Sequence, residues 1–147
     1  MSFRVFGFAF MMVAFIAPTV GAADGKLDAR AQKRLAEITA KYEKTGETRH
    51  CVPIRFLTDS TIIDDQTIFF KGLGKVAYMN RLPHRCSRLA QEGRFAYKVW
   101  IGQLCNTDII TVLDSFGREW SSCGLGDFEV MHKKPKAEQD GDADGDK

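Results

Sequence analysis

The chain has 147 residues, with 21 Lys and Arg against 19 Asp and Glu, for a formal net charge of +2. So small a charge gives no support to strong binding of nucleic acid or of an anionic membrane. A chain of this length makes one domain with a modest core, and its four cysteines take their meaning from the first residues of the sequence.

Met1 to Arg4 is a short segment with one positive charge, Val5 to Ala17 is continuously apolar, and Val20-Gly21-Ala22-Ala23 offers the small residues that signal peptidase requires. Residues 1–23 therefore read as a cleaved export signal, and the protein as periplasmic or secreted. The rival is an uncleaved anchor, because Val5 to Ala23 approaches the roughly 20 apolar residues that span a bilayer. Pro18, Gly21 and the small residues around them disfavour a continuous spanning helix, and no later segment is apolar enough to cross, so no transmembrane span is expected after cleavage. With no Cys at the cleavage site, a lipid anchor is not expected either.

Residues 24–50 read as an amphipathic helix and linker. Leu27, Ala31, Leu35, Ile38 and Tyr42 fall on one helical stripe, with Lys, Arg and Gln facing out. Gly46 is placed to end the helix in the left-handed conformation. The stripe is too short for a coiled coil and is expected to pack on the domain.

From Cys51 the period changes to two, and residues 51–132 read as a disulfide-linked β domain. Ile54 and Phe56 flank Arg55, Ile68 and Phe70 flank Phe69, and Phe95, Tyr97, Val99 and Ile101 alternate along a further segment. Ile109 to Leu113, apolar on both faces, reads as a central strand. Gly72-Leu73-Gly74 reads as a hairpin connection. Residues 133–147 lack a large apolar side chain and read as a disordered acidic tail. Asp140, Asp142, Asp144 and Gly145 match the first half of a calcium-binding loop but lack its closing Glu and flanking helices, so no metal is assigned there.

In an exported chain, Cys51, Cys86, Cys105 and Cys123 are expected to form two disulfides, and no Cys-x-x-Cys motif points to redox chemistry or zinc. His50 beside Cys51 and His84 near Cys86 lack the spacing of a metal site. If the strands form an up-and-down meander, Cys51 and Cys105 lie at one edge of the sheet and Cys86 and Cys123 at the other. A strand of some ten residues at about 3.3 Å each separates the edges by more than a disulfide can span. The pairing Cys51 to Cys105 and Cys86 to Cys123 follows.

Catalytic signals are weak. Asp64-Asp65 is an adjacent carboxylate pair with strand-like neighbours, which suits a turn better than general acid and base catalysis. Ser115, His84 and either Asp108 or Asp114 can be written as a triad, but no nucleophile-elbow motif surrounds the serine. No catalytic, cofactor-binding or metal-binding residue is assigned, and no cofactor. The one local concentration of positive charge is Arg81, His84, Arg85, Arg88 and Arg94, on a loop opened by Leu82-Pro83. A solvated basic loop is the ordinary reading. As a ligand-binding loop, its guanidinium forks would suit carboxylate or phosphate groups.

The strings Ile62-Ile63-Asp64-Asp65-Gln66-Thr67-Ile68-Phe69-Phe70, Asn80-Arg81-Leu82-Pro83-His84-Arg85-Cys86, Leu104-Cys105-Asn106-Thr107-Asp108-Ile109-Ile110 and Cys123-Gly124-Leu125-Gly126-Asp127-Phe128 resemble a family of small exported bacterial proteins known as a domain of unknown function. The resemblance spans roughly Cys51 to Met131. It implies a cysteine-containing envelope protein and brings no activity, cofactor or catalytic residue.

The sequence thus predicts an α+β domain: an N-terminal amphipathic helix, then a small antiparallel β-sheet or partly closed barrel of about six strands. The function expected is a non-catalytic binding or structural module of the envelope, with an acidic protein or ligand as candidate partner and no nucleic acid. The alternatives are a small periplasmic hydrolase and a secreted enzyme inhibitor.

Overall fold

A computed structural model describes residues 28–99 and 101–135. The export signal expected over residues 1–23 and all of the acidic tail beyond Pro135 lie outside the described residues.

Asp28 starts the helix α1 (Ala29–Lys41), its Oδ1 accepting from the Ala31 amide at 2.7 Å, which satisfies one of the free N–H groups of the first turn. Ala31, Ile38 and Tyr42 are buried and Leu35 is half-buried, so the apolar stripe packs inward. The helix stops earlier than the sequence suggests. Tyr42 is already extended and begins strand β1 (Tyr42–Arg49). Gly46, rather than closing the helix, has φ +82° within β1, where the pairing register shifts between Lys44 and Thr48. Gly adopts this left-handed backbone without a Cβ clash.

Nine further strands follow: β2 (Cys51–Pro53), β3 (Leu57–Asp64), β4 (Thr67–Gly72), β5 (Val76–Arg81), β6 (Phe95–Tyr97), β7 (Gln103–Cys105), β8 (Ile109–Leu113), β9 (Glu119–Gly124) and β10 (Phe128–Lys133), with a one-turn helix α2 (Leu89–Glu92) between β5 and β6. They form a five-stranded sheet in the order β1-β10-β5-β4-β3, a two-stranded sheet β2-β7, and a three-stranded sheet β6-β8-β9, all antiparallel.

The five-stranded sheet is covered on both faces. Phe69, Ala77, Met79 and Met131 meet Ala31, Ile38 and Tyr42 on the helix side, with the Tyr42 and Phe69 rings 5.1 Å apart edge to face. On the other side Ile68, Phe70, Tyr78, Phe128 and Val130 pack against Val52 and Leu104 of the two-stranded sheet and Ile110 and Val112 of the three-stranded one. Double coverage explains why β4 reads as a nearly unbroken apolar run.

The predicted α+β architecture of one helix and about six strands is therefore corrected. Half of the described residues are in strands, and among them the fold is mostly β, with α1 and the one-turn α2 as helices and no sheet closed into a barrel. The difference has physical causes. β1 is an edge strand whose residues after Tyr42 are all exposed, so backbone pairing with β10 holds it and no apolar alternation marks it. The strands β2, β6 and β7 have three residues each, too few to show a period. Ile54–Phe56, whose apolar residues flank Arg55, is a 3₁₀ turn. Ile109 to Leu113 does form the central strand of its sheet, but with one face open: Ile110 and Val112 are buried while Ile109 is 59% exposed. Lys133, expected in the tail, ends β10, and Lys134 N–H donates to the Lys41 carbonyl at 2.9 Å.

There are two disulfides, Cys51 to Cys105 and Cys86 to Cys123. This is the pairing inferred from strand parity, yet the meander behind that inference covers only β3, β4 and β5. Cys51 and Cys105 are instead direct cross-strand partners of β2 and β7. Cys86, in the loop after β5, reaches Cys123 in β9.

Candidate arginine groove

The loop from Leu82 to Arg88 is held by the turn between β3 and β4. Leu82 N–H donates to the Gln66 carbonyl at 2.8 Å, Gln66 Nε2 returns a bond to the Leu82 carbonyl at 2.9 Å, and Cys86 N–H donates to the Asp65 carbonyl at 2.6 Å. Ser121 Oγ donates to the Ser87 carbonyl at 2.8 Å, beside the Cys86 to Cys123 disulfide. The adjacent acids belong to this clamp. Asp64 Oδ1 accepts from Gln66 N–H at 2.7 Å, while Asp65 Oδ1 accepts from Ala90 N–H at 2.9 Å and its Oδ2 from Arg85 Nε and Nη2 at 3.1 and 2.9 Å. Both carboxylates are engaged in holding backbone and Arg85, as the turn reading anticipated.

Between this clamp and the N-terminal half of α1 lies an open groove of about 650 Å³, lined by Arg30 and Arg34 of the helix and by Arg85 and Arg88 of the loop, with Asp28 and Asp65 as its two acids. Asp28 is occupied as the helix cap. Arg34 Nη1 donates to the Ile62 carbonyl at 2.6 Å, which anchors one end of its fork. No partner is recorded for the Arg30 side chain among the described residues, and the Arg85 side chain is 80% exposed despite its bond to Asp65. Guanidinium groups arranged in this way present several N–H donors to a ligand from two sides.

Arg88 differs from the others. It has φ +66°, the only positive φ of a non-glycine residue among the described residues, a backbone region that costs L-residues roughly 1–2 kcal/mol. Its guanidinium carbon lies 3.8 Å from the centre of the Trp120 ring, its Nη2 pairs with Glu92 Oε1 at 2.6 Å, and its Nε is buried without a hydrogen-bond partner. Stacking and pairing fix this side chain as the wall of the groove.

Of the five residues marked by the sequence, then, the structure brings Arg85 and Arg88 into the groove. Arg81, His84 and Arg94 are exposed and do not line it. Arg81 ends β5, with its carbonyl packed against Gly126, where an added Cβ would collide with it. The buried Asn80 holds that glycine through both backbone groups, donating to the Gly126 carbonyl at 2.6 Å and accepting from its N–H at 3.0 Å. Sequence reading missed Arg30 and Arg34. Their i,i+4 spacing on the polar side of the helix was visible, but nothing local says which surface that side meets.

The triad residues are used otherwise. Asp114 is buried in the turn from β8 to β9, where Oδ1 accepts from Phe116 and Arg118 N–H at 2.8 and 2.9 Å and Oδ2 from Arg118 Nε at 2.7 Å. Burial by itself would raise the pKa of Asp114, but the Arg118 and Phe116 hydrogen bonds and the Arg118 charge outweigh it and hold the carboxyl below its usual range. Asp108 accepts from Cys105 N–H at 2.7 Å. No hydrogen bond among the described residues joins Ser115 or His84 to either aspartate.

A second polar cluster escaped sequence reading. His50 Nδ1 and Asn106 Nδ2 lie 2.9 and 2.6 Å from Asp127 Oδ1, next to the Cys51 to Cys105 disulfide. The His50 and Asn106 hydrogen bonds lower the pKa of Asp127 against a smaller opposing effect of burial. The cluster joins three loops at the surface. Among the described residues no group of three or more His, Cys, Asp or Glu is placed to hold a metal ion. No family model matches the chain, and neither the curated proteins nor the solved structures include a match to it.

Proposed function

We propose that this chain is an exported, non-catalytic binding module whose arginine groove takes the carboxylate or phosphate groups of an acidic partner. The observation that carries the reading is the convergence of Arg30 and Arg34 from α1 with Arg85 and Arg88 from a distant loop around one open groove. The acids that the sequence offers for catalysis are engaged in turns, which favours binding over hydrolysis. Two disulfides suit an oxidising compartment, and no helix of the described residues is long and apolar enough to cross a membrane. The resemblance to small exported proteins points the same way.

The test is titration of the full chain with a short poly-glutamate peptide, for wild type and for Arg30→Ala with Arg85→Ala. Losing one charge-assisted hydrogen bond of about 1.5 kcal/mol weakens binding about tenfold, so the double variant loses at least that much, and wild-type affinity falls as salt rises. Wild-type binding that survives both substitutions would remove the groove from the reading. Arg81, His84 and Arg94 serve as the control set, since their replacement leaves the affinity unchanged.

A further inference from the structure

We infer that the groove has an occupant within the same chain: the acidic segment 136–147, which acts as a tethered competitor that an outside acidic partner must displace. The inference rests on the groove reading above and adds its regulation. Three observations carry it.

The first is charge. Residues 136–147 contain Glu138, Asp140, Asp142, Asp144 and Asp146 against Lys136 and Lys147, while the groove lining has four arginines against two acids, with Arg85 shared with Asp65 and Arg88 with Glu92, so that Arg30 and Arg34 carry its excess positive charge. The second is reach. Lys134 N–H is bonded to the carbonyl of Lys41, so the segment departs from the C-terminal end of α1, and the groove arginines Arg34 and Arg30 lie back along the same helix. At about 1.5 Å per residue these are about 10 and 17 Å away. An extended chain covers about 3.3 Å per residue, so Glu138 can lie about 13 Å from Lys134, Asp140 about 20 Å and Asp146 about 40 Å. The acids of the segment thus span the required distances.

The third is spacing. Asp140, Asp142, Asp144 and Asp146 occupy every second position, which in an extended backbone puts their carboxylates on one side at intervals of about 6.6 Å. Arg30 and Arg34 are i,i+4 neighbours with Cβ atoms about 5–6 Å apart. Alternate aspartates can therefore meet successive arginines along the helix without a change of face. A short tether gives an effective concentration on the order of mM, so a segment with an intrinsic dissociation constant of about 0.1 mM would weaken outside binding about tenfold.

The experiment compares the wild-type full chain with a full chain carrying Asp140→Asn, Asp142→Asn, Asp144→Asn and Asp146→Asn, both titrated with the short poly-glutamate peptide at low salt. Arginine Nε–Hε resonances are followed by NMR, and the thermal midpoint serves as the folding control. The expected result is about tenfold tighter peptide binding by the variant, with the Arg30 and Arg85 signals moved before any peptide is added. Equal binding by the two chains, with unmoved arginine signals, overturns the tethered competitor and leaves the groove reading standing. Binding by neither chain overturns both. Arginine shifts that grow with protein concentration would put the segment in the groove of a second copy and overturn the intramolecular contact. A gain in affinity that persists when Arg30 and Arg85 are replaced by Ala would mean that the segment covers a different surface, with the same consequence.

Discussion

Replacement of Arg88 separates a groove wall from a solvated surface charge. Arg88→Ala removes the stack on Trp120 at 3.8 Å, worth about 0.5–2 kcal/mol. It also removes the i,i+4 pair with Glu92, worth about 0.3–0.5 kcal/mol for an exposed pair and more here because the Glu92 side chain is only 14% exposed. Alanine leaves the φ of +66° in place, so no strain is relieved and the expected loss is about 1–2.5 kcal/mol. Arg88→Gly deletes the same contacts but relieves a left-handed backbone that costs an L-residue about 1–2 kcal/mol. The extra freedom of Gly in the unfolded chain gives back about 0.4–1 kcal/mol. The glycine variant is therefore the more stable of the two, by about 0.5–1 kcal/mol. Urea unfolding followed by far-UV circular dichroism measures the difference, and for a domain of this size 1 kcal/mol corresponds to about 4 °C in the thermal midpoint. An alanine variant as stable as wild type would show that Arg88 is an ordinary exposed charge. An alanine variant more stable than the glycine one would refute the left-handed backbone at this position.

Non-reducing peptide mapping is expected to recover Cys51 linked to Cys105 and Cys86 linked to Cys123, and replacing either pair by Ala costs about 2–4 kcal/mol, less than additively when combined because the two loops overlap. Asp114 titrates below the ordinary carboxylate range in the folded protein, so its contribution is complete at neutral pH and is lost as pH falls below about 4, the unfolded-state value. Asp114→Asn keeps the turn but flattens that acid limb of the stability profile, and identical limbs for wild type and variant would remove Asp114 from the account.

The helix stripe was legible because Ala31, Ile38 and Tyr42 meet the sheet with the period that burial imposes. The hairpin from β4 to β5 and the central place of β8 were also legible, since Gly72-Leu73-Gly74 and the run from Ile109 to Leu113 carry local signals. What stayed hidden was non-local. Beyond Tyr42 the strand β1 is held by main-chain bonds to β10 and by polar contacts such as Lys44 with Glu129, which leave no apolar alternation, and nothing in the sequence indicates that β10 pairs with both β1 and β5. The groove shared this fate. Its loop half was visible as a cluster of arginines, while Arg30 and Arg34 became part of a site only because α1 packs beside the turn at Asp65. In the same way, the buried Nε of Arg88 and its left-handed backbone are properties of the folded loop alone.

The position of β10 has a consequence for how the molecule assembles. It is the last strand in the chain, yet it occupies an interior place in the largest sheet, bonded to β1 on one side and β5 on the other. Until it arrives, β1 has no partner and β5 has one edge open, while Phe128 and Val130 are missing from the centre of the core. A chain emerging N-terminus first can form the β3-β4-β5 meander and the two smaller sheets, but the largest sheet stays incomplete. Completion waits for a strand that follows β1 by nearly the length of the domain, a closure that is intrinsically slow. Late closure keeps the chain short of its final shape until its last strand is available. Its cost is a period in which unpaired strand edges are exposed.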